Sequence, residues 1–257
     1  MSIARIWAIA TNAFREVIRD RILYIIGLFA LLLGLALRIL PQIAAGTDEK
    51  IFLDLGLGAI GLLSAIVAIF VGTGLINKEI EKRTVLVLIP KPISRAEFIV
   101  GKHFGLSGVL AVLIAVMALI YFGLMSLGQI SYPIGSIAVS LLYLFVEVAL
   151  LAAIALVFGV FTSSLLATLL TFGVYLMGHF SQDLLELAKL SEQESVKVLA
   201  QSLYLVLPDL SRLNLRNEAV YALLPEPSTL LTSVVYGVLY TIFILTIAIL
   251  IFSRREF

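Results

Sequence analysis

Six long apolar stretches, near residues 22 to 40, 51 to 76, 103 to 127, 133 to 159, 163 to 180 and 229 to 252, leave this chain few ways to fold. Runs of about 18 or more apolar residues match the hydrocarbon thickness of a bilayer. A backbone amide in lipid has no water to bond, so its partner must lie in its own helix or in a closed barrel. A barrel would show alternating segments of about ten residues, and these runs do not alternate. The sequence therefore predicts an all-α polytopic membrane protein of six transmembrane helices, a single domain over 1–257. The mean hydropathy of +1.11 agrees, since 257 residues of this composition carry more apolar side chain than a soluble core could enclose. No cleavable signal peptide is read, because the run from Ile22 is too long for a signal core and lacks a convincing cleavage site.

Charge sets the orientation. Lys and Arg number twelve in the N-terminal segment, the 77–102 loop and the C-terminus together, against six on the opposite side. The positive-inside rule then predicts both termini in the cytoplasm, with the chain in the plasma (inner) membrane. The net charge of +1 hides this segregation and gives no reason to expect nucleic acid as a partner. The absence of cysteine excludes disulfides, iron–sulfur ligation and thiolate zinc sites.

Before the first span, Ile3, Ile6, Trp7, Ala10, Phe14, Val17 and Ile18 recur at helical spacing, with Arg5, Asn12, Arg15, Glu16 and Arg19 opposite. Residues 1–21 thus read as an amphipathic elbow helix lying flat in the cytoplasmic headgroup region, in contact with membrane lipid. The alternative is one bent helix continuous with the first span. Between spans five and six, residues 181–228 carry seven acids and four bases, which suits the external side. Their composition predicts short external helices, broken at Pro208 and closed by Pro225 and Pro227 before the last span. This insertion could dock an external, periplasmic partner or form a lid.

The strongest charged interruption in the first two-thirds is NKEIEKRTVLVLIPKPISRAEFIVGK, from Asn77 to Lys102. Asn77 to Ile89 can form a short helix that Pro90 and Pro92 end. Ser94 and Glu97 make an S-x-x-E capping box, so a new helix should start at Ser94 and run into span three. A short helix held by a rigid proline corner moves as a body when a partner moves. The same residues also suit an ordinary basic loop with a proline turn.

The string of Glu79, Arg83, Thr84, Leu88, Pro90, Ile93, Ser94, Arg95, Glu97, Phe98, Gly101 and Lys102 resembles the intracellular segment of ABC-2 type permeases. These are the membrane subunits of type V ATP-binding-cassette exporters. The order of elements resembles that family over essentially the whole chain: elbow helix, six spans, a coupling segment between spans two and three, external helices between spans five and six, and a C-terminal Phe252-Ser253-Arg254-Arg255-Glu256-Phe257. Arg83 departs from the pattern, since many members have Gly there. The resemblance implies an exporter permease that pairs with a second copy or a similar permease and is driven by a separate cytosolic ATPase subunit. It assigns the ATPase contact to the coupling segment 77–97, through Glu79, Glu81, Lys82, Arg83, Thr84, Leu88, Pro90, Ser94, Arg95 and Glu97. The family's cargoes include lipids, glycans, drugs, ions and peptides; the apolar spans here tilt toward a hydrophobic or amphipathic one.

Enzyme chemistry finds no support. The chain has no G-x-x-x-x-G-K-[ST] loop, so ATP and Mg would be bound by the partner subunit, with no cofactor and no metal in this chain. It has neither H-E-x-x-H nor G-x-S-x-G. His103 and His179 fall near opposite faces of the membrane and are not expected to share a metal. Glu147 lies near the middle of span four, where an acid costs on the order of 2.5 to 3.5 kcal/mol. It can line a path, bind a cation, or be satisfied by neighbouring polar groups as a packing clasp. Asp54, near the outer end of span two, is a weaker candidate. Glycines such as Gly56, Gly58, Gly72, Gly105 and Gly108 read as close helix packing, and Thr162, Ser163, Ser164, Thr168 and Thr171 as hydroxyls bonded to nearby carbonyls. A non-transporting membrane scaffold or sensor that recruits a cytosolic partner is the alternative function. A secondary transporter is disfavoured by the scarcity of intramembrane charge.

Overall fold

The computed structural model describes residues 2–19, 22–44, 46–81, 94–190 and 193–254, with the backbone alone described at 80, 81, 184, 185, 187, 188 and 199. Among these residues every regular element is helical: α1 (Ile3–Ile18), α2 (Ile22–Ile43), α3 (Asp48–Glu81), α4 (Arg95–Leu127), α5 (Ile134–Phe161), α6 (Ser164–His179), α7 (Ser181–Leu190), α8 (Glu194–Val206), a 3-10 turn (Leu210–Leu213), α9 (Arg216–Val220) and α10 (Pro227–Arg254). Five of them, α2, α3, α4, α5 and α10, are long and apolar enough to cross a membrane. The fifth apolar run of the sequence forms α6, which has 16 residues. At about 1.5 Å per residue it reaches roughly 24 Å, short of the ~30 Å hydrocarbon layer.

Helix α5 is the centre of the fold. Residues 150–157 are buried without interruption, as expected for a helix apolar on every side and surrounded by others. Its small residues let α3 approach closely. A Cβ on Gly72 would stand 2.7 Å from the Ala155 Cβ, and one on Gly159 would stand 3.1 Å from the Thr73 carbonyl oxygen. On the other flank Gly237 of α10 sits against Val146. The hydroxyl patch at the α5–α6 turn is satisfied locally: Thr162 donates to Phe158 O, Thr168 to Ser164 O and Thr171 to Ala167 O, while Thr168 and Thr73 pair across α6 and α3 at 3.0 Å.

The N-terminal helix forms as α1 and packs on α4. Ser2 and Arg5 meet Glu97; a Cβ on Gly101 would meet Ile6 and Ile9, one on Gly105 would meet Ala10 and Ala13, and one on Gly108 would meet Phe14. Such a ladder holds α1 alongside the first turns of α4, running in the same direction. The three glycines permit this contact, which the sequence reading of the helix did not include. Ala10, Ala13 and Val17 are buried by it, whereas Ile3 and Trp7 stay 85% and 74% exposed on the outer apolar side.

The segment between α6 and α10 forms α7, α8, the 3-10 turn and α9. Pro208 falls between α8 and the turn, and Pro227 starts α10, a position where its missing N–H costs no hydrogen bond. Asp209 ties these pieces together. Its carboxylate accepts hydrogen bonds from Ser181 (2.8 Å), Ser211 (2.5 Å), Arg212 (2.9 Å) and Gln182 (3.4 Å), and its N–H donates to the Tyr236 hydroxyl of α10 (2.8 Å).

Candidate functional site

Two sites emerge, one at each end of the bundle. At the end the charge distribution assigns to the cytoplasm, the first two turns of α4 collect contacts from α1, α3 and α10. The capping box is present as the sequence predicts: Ser94 Oγ accepts from Glu97 N at 3.1 Å, and Glu97 Oε2 accepts from Ser94 N at 2.9 Å. Glu97 also accepts from Ser2 N at 2.6 Å and lies 3.8 Å from the Arg5 guanidinium, so one buried carboxylate joins α1 to α4. Arg95 donates to the carbonyls of Phe252 (2.5 Å) and Ser253 (3.0 Å), placing a cation at the C-terminus of α10 where its orphan carbonyls point. The Phe98 and Phe252 rings stack beside it at 5.5 Å. Lys102, 2% exposed, pairs its ammonium with Glu79 of α3 and lies 3.6 Å from Glu16 of α1.

This junction holds both ends of the 77–97 segment as far as it is described. Asn77 to Glu81 is the last stretch of α3, so the short helix expected from Asn77 to Ile89 begins as a continuation of the span rather than as a separate element. Its remainder, with Lys82, Arg83, Thr84, Leu88 and Pro90, lies outside the described residues, and of Glu81 only the backbone is described. Of the sequence-predicted contact residues, Glu79, Ser94, Arg95 and Glu97 are brought together. Lys102, part of the resembling string, and Glu16, on the polar face of α1, were not among the predicted contact residues, yet they complete the junction. The signal for Lys102 was its place eight residues into a helix that begins at the cap.

The second site lies toward the opposite end and is a cavity of about 680 Å³. One wall is apolar, built by Leu32, Leu35 and Leu40 of α2 with Leu55 and Leu62 of α3. The polar lining comes from Glu147, Tyr175, His179, Asn214 and Arg216, alongside Leu144, Leu213 and Leu215. Glu147, 3% exposed, is not a solitary acid, since its Oε1 stands 3.3 Å from His179 Nε2. Helix geometry explains the meeting. Glu147 precedes the α5 terminus at Phe161 by 14 residues and His179 follows the α6 start at Ser164 by 15, so the two reach nearly equal depth on antiparallel neighbours. The sequence held that arithmetic, but residue type alone did not suggest applying it. His103 is used elsewhere, its Nε2 within 3.0 Å of the Ala149 carbonyl.

At the cavity mouth Asp54 is engaged by Arg216 of α9 through two parallel bonds, 2.6 Å from Nε and 2.5 Å from Nη2. Gly58, one turn along α3 from Asp54, makes room for this, since a Cβ there would stand 2.6 Å from the guanidinium carbon. A polar chamber of about 380 Å³, lined by Asp54, Ser211, Asn217 and Glu218, shares His179, Asn214 and Arg216 with the larger cavity. Outside the membrane, burial opposes the charge on Asp209, but the bonds from Ser211, Ser181, Arg212 and Gln182 outweigh it and hold the carboxyl below the usual carboxylate range. The Asp209 bond in turn holds the Arg212 guanidinium above its ordinary value.

A bundle of long apolar helices around a cavity, with a charged junction at one end, defines an integral membrane protein of the transporter class. The chain matches the family model of the ABC-2 family transporter proteins over residues 7–257, and it belongs to that family. It is thus a permease component of an ATP-binding-cassette transporter, a membrane component of the kind that associates with an ATP-binding-cassette subunit. No curated protein matches the chain.

Proposed function

We propose that this permease is the membrane half of an ATP-driven exporter, and that residues 77–97 form its contact with the cytosolic ATPase. The observation that carries the reading is the junction at α4. Glu79 at one foot of the segment is fixed to Lys102, and Ser94, Arg95 and Glu97 at the other foot are fixed to α1 and α10. A displacement imposed on the segment by a closing ATPase dimer would pass directly into α1, α3, α4 and α10. Two such permeases, identical or similar, would face one another across the membrane. In this reading α6 with the residues that follow makes the sixth crossing, both termini are cytoplasmic in the plasma membrane, and α7 to α9 cap the external side.

Because the chain has no cysteine, a single spin label can be placed at Asn217→Cys on the external side. In the assembled complex, ATP should shift the label-to-label distance between the two copies. Charge reversal at both Glu81→Lys and Arg83→Glu should abolish that shift while leaving the permease at normal abundance in the membrane. A wild-type shift in the reversed variant refutes the assignment of the contact.

A further inference from the structure

We propose that the external cavity binds a single-chain amphiphile bearing an ammonium head group, with its tail on the α2–α3 wall and its head against Glu147 and Tyr175. The assignment deepens the permease reading by naming a class of cargo, and it rests on that reading only for the transport that follows binding.

Shape gives the first argument. About 680 Å³ falls in the range of sites that enclose a drug-sized ligand, and the lining is largely apolar, with Glu147, Tyr175, His179, Asn214 and Arg216 as its polar members. From Leu32 to Leu40 the apolar wall rises roughly 12 Å along α2 at 1.5 Å per residue. Leu32, Leu35, Leu55 and Leu62 are 45%, 50%, 41% and 53% exposed, so the cavity opens sideways between α2 and α3, where a membrane would supply lipid. An amphiphile can enter by that side without leaving the bilayer.

Charge gives the second. The two joined chambers are lined by three carboxylates, Asp54, Glu147 and Glu218, against one guanidinium and one imidazole, with no lysine. Arg216 is occupied bidentately by Asp54, so it is poorly placed to receive an anionic head. Glu218 has no side-chain partner among the described residues, and Glu147 shares only the His179 imidazole. The lining is therefore acidic in excess whether His179 is neutral or charged. The Tyr175 ring, packed on the His179 ring at 4.5 Å, adds an aromatic surface to the same wall. A carboxylate beside an aromatic ring in a desolvated cavity is the chemistry that recognises an ammonium. A sulfate or phosphate head would instead meet a lining with carboxylates in excess.

The test is equilibrium binding of hexadecyltrimethylammonium and of hexadecyl sulfate to the full chain in a neutral maltoside detergent. Saturable binding of the ammonium probe at one site per chain is expected, at least about tenfold tighter than the sulfate. Glu147→Gln should weaken it about tenfold, and thermal unfolding of that variant reports whether the fold is kept. Glu218→Gln and Leu62→Trp leave the packed core untouched; the first should weaken the ammonium probe several-fold and the second should block both probes. Equal binding of the two probes, no saturable site, or indifference to Glu218→Gln and Leu62→Trp would overturn the proposal, as would a second copy of the chain found covering the cavity. Since no ATPase is present, loss of coupling in the assembled complex would refute the coupling assignment without touching this result.

Discussion

A methyl group added at Gly105 should separate α1 from α4. Its Cβ would stand 2.6 Å from the Ala10 carbonyl oxygen, 2.7 Å from the Ala13 Cβ and 3.3 Å from the Ala10 Cα. These atoms belong to a helix backbone and its first side-chain carbon, so no rotamer change relieves the contact. Carbon atoms settle at about 3.5–4.0 Å, and α1 must therefore retreat on the order of 1 Å as a body. Overpacking of this kind costs about 1–3 kcal/mol. Gly123 on the same helix has nothing within 4 Å of its would-be Cβ. Gly123→Ala should collect the helix-propensity gain of roughly 0.5–1 kcal/mol without a clash. Because both variants share that gain, the difference between them isolates the clash. We expect Gly105→Ala to unfold at lower temperature than Gly123→Ala in the same detergent, by the equivalent of about 1–3 kcal/mol, and Gly101→Ala, whose Cβ would meet Ile9 at 2.7 Å, to follow Gly105→Ala. Equal stability of Gly105→Ala and Gly123→Ala would refute the ladder that holds α1 to α4.

Two further outcomes follow from the charged contacts. Lys102→Met leaves Glu79 without its buried partner; breaking a buried pair costs about 3–5 kcal/mol, but Glu79 is 24% exposed and can draw water, so the lower end is expected. Adding Glu79→Gln should restore part of the loss in a double-mutant cycle on thermal stability, and strict additivity would contradict the pairing. In the segment between α6 and α10, the Asp209 carboxyl is held below its unfolded value, so its contribution is complete above the ordinary carboxylate range and disappears as pH falls through the folded value. Asp209→Asn should loosen residues 181–213 to limited proteolysis at neutral pH by about 1.5–3 kcal/mol, the worth of hydrogen bonds to a charged acceptor. That gap to wild type should close in strong acid, and a gap independent of pH would show that the charge is immaterial.

Much of the fold is legible in local sequence because its causes are local. Apolar length marks the spans, Ser94 and Glu97 mark the start of α4, and Pro227 marks the start of α10. Features set by neighbours in space were not legible. Gly101, Gly105 and Gly108 carry no sign that their partner is an amphipathic helix rather than another span. The apolar run of 163 to 180 gives the extent of α6, but not that Glu147 meets His179 at its end or that Gly178 packs on Pro208 and Leu210. Asp54 reads in sequence only as a weaker candidate near the end of its span; that it is clasped by Arg216, 162 residues away, depends on how the segment between α6 and α10 folds back.

The central claim is that this permease is driven through residues 77–97 by a separate ATPase. It is tested most directly by isolating the chain from its native membrane in mild detergent or nanodiscs, identifying what accompanies it, and assaying ATP hydrolysis of the complex. The account predicts recovery of a P-loop ATPase whose hydrolysis depends on this chain, and its loss on charge reversal at Glu81 and Arg83. Recovery of the permease alone, with no nucleotide-dependent partner, would contradict it and favour a membrane scaffold.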